Sequence, residues 1–196
     1  MNTRAPTLSP LFRSDVQAHI LARIFLNPDR GYTTAELARE SQAPYATVHR
    51  EVVRLIEAGL VSEDRVGQAK IVRANSASPI ARPLSELLRL SYGPSVVVPR
   101  VLEGIAGIEE AYIYGSWAAR LEGESGDAPG DVDVVVIGNP RRQAVQVAAT
   151  SAESELGREV NIRAVSRAMW ASDTDLFVKT IKTRPLFRVQ LVGNKS

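Results

Sequence analysis

The sequence predicts an α+β chain in which two small domains are joined by a helical connector. Three observations lead to this prediction. The front of the chain combines helical hydrophobic spacing with turn signals and ends in a short hairpin pattern. A leucine-rich helical stretch follows, and the rest interleaves strand and helix patterns around a strand that carries two aspartates. We place the domains at 10–75, 76–106 and 107–196.

Composition narrows the classes of function. The 196 residues are 44% hydrophobic and 23% charged, which is ordinary for a globular protein with a buried core. The chain has no cysteine and two histidines, which excludes disulfides, thiol catalysis, Cys-ligated zinc and a His-rich metal site. Because there is no long apolar run and no signal-peptide pattern, we expect a cytoplasmic protein without a membrane partner.

The net charge of +2 does not by itself indicate a nucleic-acid partner. Residues 1–75 carry ten basic and eight acidic side chains, whereas residues 106–196 carry eleven and twelve. The front of the chain is therefore slightly basic and the back slightly acidic.

The front domain is predicted to contain three helices and a hairpin. Ser14 and Thr33 are N-cap candidates, each followed three residues later by glutamine or glutamate. Pro44 suits the first position of the third helix, which ends at Gly59. Two short strands then flank Gly67-Gln68. This order of elements is that of a winged helix-turn-helix.

The stretch TTAELARESQAPYATVHREVVRLIEAGLV resembles the bacterial ArsR/MarR-like winged-helix regulators, and the resemblance covers about residues 14–75. In this fold the third helix lies in the major groove of double-stranded DNA, where base edges can be distinguished. Its apolar positions Val48, Val52 and Leu55 face the core, and the hairpin supplies contacts to phosphates. The residues predicted to contact DNA are Tyr45, Thr47, His49, Arg50, Arg54, Arg65 and Lys70.

Two alternatives stay open for this domain. It can serve as a protein-interaction module that no longer binds DNA, and His49 can be a solvent-facing histidine rather than a base reader. A DNA titration distinguishes a DNA-binding domain from a protein-interaction module.

The connector is predicted to be a helix that opens at Ser78-Pro79 and ends at Gly93. Residues 96–98 would suit a strand, whereas 99–105 look helical. Apolar helices between domains often pair subunits, and dimers match palindromic operators, so we expect a homodimer. The alternative is a helix that packs on its own chain. The predicted apolar face consists of Ile80, Leu84, Leu87, Leu88 and Ser91.

The stretch AYIYGSWAARLEGESGDAPGDVDVVVIG carries the chemistry of the back domain. A strand turns at Gly115-Ser116 into a short helix, and a polar loop leads to a second strand on which Asp131 and Asp133 share one side. Two such carboxylates repel each other unless a cation lies between them, and Mg²⁺ takes carboxylate and phosphate oxygens together. Ser116 and the free amides beside it suit nucleotide phosphates, and two bridging ions would suit phosphoryl chemistry.

This pattern resembles the DNA polymerase beta-type nucleotidyltransferase superfamily, in particular its minimal nucleotidyltransferase domains, over about residues 107–165. The tail resembles the C-terminal part of bacterial proteins that join a winged helix to such a domain. The resemblance implies a mixed sheet flanked by helices. It makes Gly115 and Ser116 nucleotide-binding residues, and Asp131 and Asp133 catalytic metal ligands. Arg120 is either a further phosphate contact or an ordinary exposed helix arginine.

One position departs from the family pattern. Active members commonly carry a third acidic residue on a later strand, and the aligned position is Asn161. An amide can ligate a cation but cannot accept a proton as a carboxylate does. Glu159, on the same side of that strand, is a candidate replacement. The sequence therefore leaves the enzyme question open.

Three functions follow from these patterns. The first is a transcriptional regulator whose back domain binds a nucleoside triphosphate and Mg²⁺, with an autoregulating antitoxin and its toxin-like partner protein as one version. The second is an active nucleotidyltransferase that transfers a nucleoside monophosphate to a protein, RNA or small molecule and uses the winged helix for docking. The third is a structural scaffold in which both sites have decayed.

Overall fold

The structure, a computed structural model, describes residues 8–124, 129–172 and 174–191. The chain forms two compact units that divide between Gly93 and Pro94, within the stretch predicted as the connector. The helix before this boundary therefore belongs to the first unit, and the helix after it to the second. Within the described residues, none of the helices combines the length and the hydrophobicity that a membrane span requires.

In the described part of the first unit, three helices precede a hairpin and a fourth follows it. Up to the hairpin this is the order of a winged helix-turn-helix, as predicted. Tyr32 pairs with Val72 in an isolated bridge, which ties the segment before the second helix to the hairpin. The elements are α1 (Asp15–Phe25), α2 (Thr34–Glu40), α3 (Tyr45–Glu57), β1 (Val61–Val66), β2 (Ala69–Ala74) and α4 (Ala81–Tyr92), after a 3-10 turn at Ser9–Leu11.

Both predicted N-caps are present. The Ser14 hydroxyl accepts a hydrogen bond from the Gln17 amide at 3.1 Å and so begins α1. At α2, the Glu36 amide donates to the Thr33 hydroxyl at 3.1 Å, and the Glu36 carboxylate accepts from the Thr33 amide at 2.7 Å, which completes a capping box. The third helix begins one residue later than predicted, because Pro44 is its N-cap and Tyr45 its first residue.

Helix α4 has two apolar faces, whereas the sequence predicted one. Leu84 and Leu88 pack into the core of the first unit. Ile80 and Leu87, predicted on the same face, are exposed, because a helix turns about 100° per residue and Leu87 and Leu88 therefore point to different sides. Exposed Pro83 continues the second face. The exposed fractions of its larger members are 53% for Ile80, 46% for Leu87 and 64% for Leu90.

The strand pattern at residues 96–98 is overridden by packing. The structure has a helix, α5 (Pro94–Leu102), across this segment. Val97, Val98 and Leu102 are buried in the core of the second unit. Burial of this helical face outweighs the local β-preference of three consecutive valines.

The second unit is built on a mixed four-stranded sheet with the order β5-β4-β3-β6. Strands β3 and β4 are antiparallel, as are β3 and β6, whereas β4 and β5 are parallel and α7 connects them. This confirms the predicted α+β class. The elements after α5 are β3 (Ile108–Tyr114), α6 (Gly115–Leu121), β4 (Asp131–Gly138), α7 (Arg142–Leu156), β5 (Glu159–Val165), α8 (Arg167–Ala171), α9 (Leu176–Lys182) and β6 (Phe187–Arg188).

The two faces of this sheet differ. On one face, Val132, Val134 and Val136 of β4 join the core that includes residues of α5 and α7. On the other, Val135 and Ile137 form a smaller apolar cluster with residues of β5, α8 and α9. Alternation along β4 places its two aspartates on this second face.

Candidate functional site

The predicted acidic pair lies at the start of β4. Asp131 is exposed and Asp133 is half-buried. In the parallel pairing with β5, Asp131 is opposite Glu159 and Asp133 is opposite Asn161. The register thus brings three carboxylates and one amide to the same end of the sheet.

The surroundings of Asp133 favour its neutral form. Burial raises the pKa of the Asp133 carboxyl, and the charge of Asp131 raises it further. A hydrogen bond from the Asn161 side chain lowers this pKa, and the charge of Glu159 raises it. A cation between the carboxylates would remove this cost of ionisation.

Gly115 brings the end of β3 against this carboxylate. Its φ of +72° lies in the left-handed region that favours glycine. A Cβ atom at Gly115 would lie 2.9 Å from Oδ2 of Asp133. Ser116 follows directly and is exposed. The structure therefore places the predicted glycine-serine turn beside the predicted metal ligand.

The residues present fit a magnesium ion that is shared with a ligand. Among residues 8–124, 129–172 and 174–191, no group of three or more His, Cys, Asp or Glu residues is close enough to hold a metal ion. Mg²⁺ is commonly held through one or two carboxylates together with water and substrate phosphates, which is what Asp131 and Asp133 offer. Asn161 is opposite Asp133 in the strand register, and its predicted role as a ligand stays a prediction.

Arg120 lies at the far end of α6 from the turn. Its Nη1 donates to the carbonyl of Glu124 at 3.2 Å and lies 4.0 Å from a carboxylate oxygen of the same residue. Its predicted contact with phosphates stays a prediction.

An aromatic and cationic cluster next to Asp133 was missed by the sequence analysis. Tyr114 is opposite Asp133 in the pairing of β3 and β4. Burial raises the pKa of the Tyr114 phenol, Asp133 raises it further, and Arg163 lowers it. Phe177 of α9 meets the Tyr114 ring edge-on at 5.8 Å, and the Arg163 guanidinium lies 3.8 Å from the centre of the Phe177 ring. Alternation along β5 puts Arg163 on the face of Asn161, which was the available signal.

Arg158 supports the segment that leads into β4. Its guanidinium donates to the carbonyl of Pro129 and lies 5.1 Å from the centre of the Trp117 ring. Trp117 is buried and belongs to the core of the second unit.

In the first unit, α3 presents a polar face to solvent. Tyr45 is 56% exposed and stacks on His49 with ring centres 6.0 Å apart. His49 and Arg50 are exposed, and Thr47 is half-buried. The four side chains lie where helical periodicity predicted them.

Arg54 is engaged by a buried acid that the sequence analysis did not single out. The Glu51 side chain is 7% exposed, and its Oε1 lies 2.9 Å from Arg54 and 2.6 Å from Arg13. Gln17 donates to its other oxygen at 3.4 Å. Glu51 thus fixes the start of α1 to α3. Its spacing of three from buried Val48 was the available signal.

The hairpin carries the remaining predicted DNA contacts. Arg65 is exposed at its tip and is opposite Lys70 in the strand register. Lys70 lies 2.7 Å from Glu63, and both side chains are partly exposed, so this pair constrains Lys70 weakly.

No protein-family model matches the chain, and no curated protein sequence matches it. Among solved structures, MepR, a transcription regulator of the Staphylococcus aureus multidrug efflux pump MepA, is 20% identical with a TM-score of 0.35, over 41% of this chain and 58% of that one. A mutant of Lactococcus lactis ZitR is 18% identical with a TM-score of 0.36, over 45% of this chain and 59% of that one. The chain thus spans less than two thirds of either protein, and TM-scores this low do not establish a shared fold. The winged arrangement of the first unit is seen in its own element order and strand pairing.

Proposed function

We propose that the protein is a DNA-binding transcriptional regulator whose second unit binds a nucleoside triphosphate together with Mg²⁺. The observation that carries the nucleotide part is the contact between the Gly115 turn and the Asp133 carboxylate, with Asp131 beside it. The exposed polar face of α3 in a winged helix-turn-helix order supports the DNA part.

On DNA, α3 would lie in the major groove with its exposed face toward base edges. Arg50 can bind guanine or a phosphate, while Tyr45 and His49 contact bases or sugars as a stacked pair. Arg65 and Lys70 on the hairpin suit phosphates. Arg54, held by Glu51, would position α3 rather than read bases.

The second apolar face of α4 supports a homodimer. Ile80, Pro83, Leu87 and Leu90 follow a three-four-three spacing, which is that of a helix-pairing seam. Arg82 and Glu86 lie beside this seam, 3.2 Å apart. In an antiparallel pair of α4 helices, Arg82 of one copy would face Glu86 of the other. A dimer of this kind matches a palindromic operator.

In the second unit, the Gly115 backbone and the Ser116 hydroxyl would bind phosphate oxygens, and Asp131 and Asp133 would hold the ion. When bound, Mg²⁺ neutralises the two carboxylates and coordinates phosphate oxygens. Asn161, opposite Asp133 in the strand register, cannot take a proton as a carboxylate does. This favours nucleotide binding as a regulatory signal. A toxin-like partner protein stays a prediction.

Glu159 supports the second candidate function, nucleotidyl transfer. It is opposite Asp131 in the strand register and could accept a proton from an acceptor hydroxyl. The acceptor oxygen would form a bond to the α-phosphorus as the bond to pyrophosphate breaks. The labelled product on a protein, RNA or small-molecule acceptor would identify this activity.

The DNA part is tested by titrating the protein against its own promoter and a scrambled duplex at several salt concentrations. We expect tighter promoter binding that weakens with salt, and about a tenfold loss in Arg50→Gln. The matched control is Arg142→Gln, which removes an exposed arginine from the second unit. Equal binding to both duplexes at every salt concentration contradicts a regulator.

The nucleotide part is tested by calorimetric titration with a non-hydrolysable ATP analogue, with and without Mg²⁺. Binding should require Mg²⁺ and be abolished in Asp133→Asn, while the exposed control Glu57→Gln binds normally. Incubation with labelled triphosphates then separates the two candidates, because only a transferase leaves label on an acceptor. Absence of binding in the wild-type protein contradicts both.

A further inference from the structure

Arg163 is a cation on the same sheet face as the acidic pair. Its strand pairs Asn161 with Asp133, and Arg163 follows two residues later on the same face, about 6.6 Å further along β5. The side chain is exposed. In the described part of the chain, no carboxylate lies within salt-bridge distance of it.

The guanidinium lies over one aromatic ring, which in turn contacts a second. It lies 3.8 Å from the centre of the Phe177 ring, and Phe177 meets Tyr114 at 5.8 Å. Tyr114 is opposite Asp133 on the neighbouring strand. Contacts therefore run from Asp133 through Tyr114 and Phe177 to Arg163.

The guanidinium centre lies over the Phe177 ring while the side chain is exposed, which leaves room for a ligand. The edge of a guanidinium carries the N–H donors, whose planar fork matches two oxygens of one phosphate. Stacking also reduces the entropy that a free arginine would lose on binding. An anion with paired oxygens is therefore a better ligand for this edge than a nucleobase.

The charges at the site also favour a role for Arg163 in binding phosphate. Asp131, Asp133 and Glu159 contribute negative charge at this end of the sheet. A nucleoside triphosphate brings several more negative charges than one Mg²⁺ ion neutralises. An additional cation on the same face offsets the surplus.

We propose that Arg163, stacked on Phe177, binds a terminal phosphate of the nucleotide and so makes the site selective for nucleoside triphosphates over monophosphates. This inference rests on the proposed nucleotide-binding function. A phosphate of a nucleic acid could bind the same guanidinium. Free nucleotides that differ in phosphate number test the terminal phosphate directly.

The test is calorimetric titration of the full chain with a non-hydrolysable ATP analogue and with AMP, both with Mg²⁺. Arg163→Gln should weaken binding of the triphosphate about tenfold and leave AMP affinity unchanged, as expected for loss of a charge-assisted hydrogen-bond pair. Lys179→Gln, which removes an exposed cation from α9, is the matched control and should change neither affinity. Arg163→Lys should recover part of the loss.

A second variant guards against misfolding of the first. Phe177→Leu keeps the Arg163 charge but removes the ring beneath it, and should weaken triphosphate binding by about threefold. Equal losses for ATP analogue and AMP, or an Arg163→Gln protein that matches Lys179→Gln, would overturn the inference. The proposed function would survive that result if the wild-type protein still binds nucleotide and Asp133→Asn does not. Wild-type protein that binds no nucleotide overturns the proposed function as well.

Discussion

Each unit of the protein contains a carboxylate that is at least half-buried, and the groups beside the two carboxylates carry opposite charges. Glu51 in the first unit lies 2.6 Å from Arg13 and 2.9 Å from Arg54. Asp133 in the second unit lies beside Asp131, and both burial and that negative charge raise its pKa. The chain supplies the counter-charge in one case, so Glu51 holds structure together. In the other it supplies more negative charge, which is the reason for the external cation that we propose there.

Removal of the paired acid should have the largest effect. Glu51→Ala leaves two arginines and Gln17 without their shared acceptor, so we expect a loss of about 2 kcal/mol in the free energy of unfolding. Both arginines remain partly exposed, which keeps the loss below that of a fully buried pair. Urea denaturation measures it. Glu57→Ala, on the exposed side of α3, is the control, and an equal loss there would contradict a specific role for Glu51.

Substitution of Gly115 tests the close contact between this residue and the Asp133 carboxylate. Gly115→Ala should cost about 1 kcal/mol, because φ is +72°, and should displace Asp133, whose oxygen would be 2.9 Å from the new methyl group. Thermal unfolding gives the first effect and Mg²⁺-dependent nucleotide binding the second. Gly104→Ala has a similar φ of +74° with no atom within 4 Å of the new Cβ, so it should lose stability but not binding. Equal binding in both variants would contradict the proposed geometry.

A third carboxylate, Glu36, is stabilised by hydrogen bonds rather than by an ion pair. The Thr33 amide lowers the pKa of the Glu36 carboxyl. A lowered pKa stabilises the fold above the pKa of the unfolded chain, and this stabilisation is lost as pH falls through the folded-state pKa. Glu36→Gln should therefore cost about 0.5 kcal/mol at pH 7 and nothing at pH 2. Urea denaturation at both pH values tests this, and a loss that is independent of pH would contradict it.

The last expected effect, similar in size to that of Glu36→Gln, is a gain in stability. The pKa of Asp133 is raised, so its contribution is most favourable below the unfolded-state pKa and is lost as pH rises through the folded-state pKa. Asp131→Asn removes one cause of that rise and should stabilise the Mg²⁺-free protein by about 0.5 kcal/mol at pH 7, but not at pH 3. Asp64→Asn on the exposed hairpin is the control. A destabilised Asp131→Asn protein in thermal unfolding at pH 7 would show that the two carboxylates do not repel.

Local patterns predicted much of the fold. The capping box at Thr33, the hairpin at Gly67 and the exposed face of α3 depend on neighbours within a few residues, which a sequence displays directly. Residues 96–98 show the limit, since burial against the rest of the second unit overrides their β-preference.

The candidate site was predictable in part for the same reason. Gly115, Asp131 and Asp133 lie in one short stretch. Arg163 and Phe177 come near them only through the register of β4 with β5 and the packing of α9, which hydrophobic alternation does not specify. The spacing of Glu51 from Val48 places it on the buried face of α3, but its partners Arg13 and Gln17 are known only from the structure.

Asn161 has a consequence for how the second unit would respond in a cell. With an amide in place of a third acidic residue, the proposed site would attract a lone ion less strongly, and Asp131 and Asp133 would repel a phosphate chain without its metal. In the proposed site each ligand would therefore need the other for stable binding, and the linkage between them would be reciprocal. Occupancy would follow the concentration of the preformed metal-nucleotide complex, so depletion of either component would empty the protein.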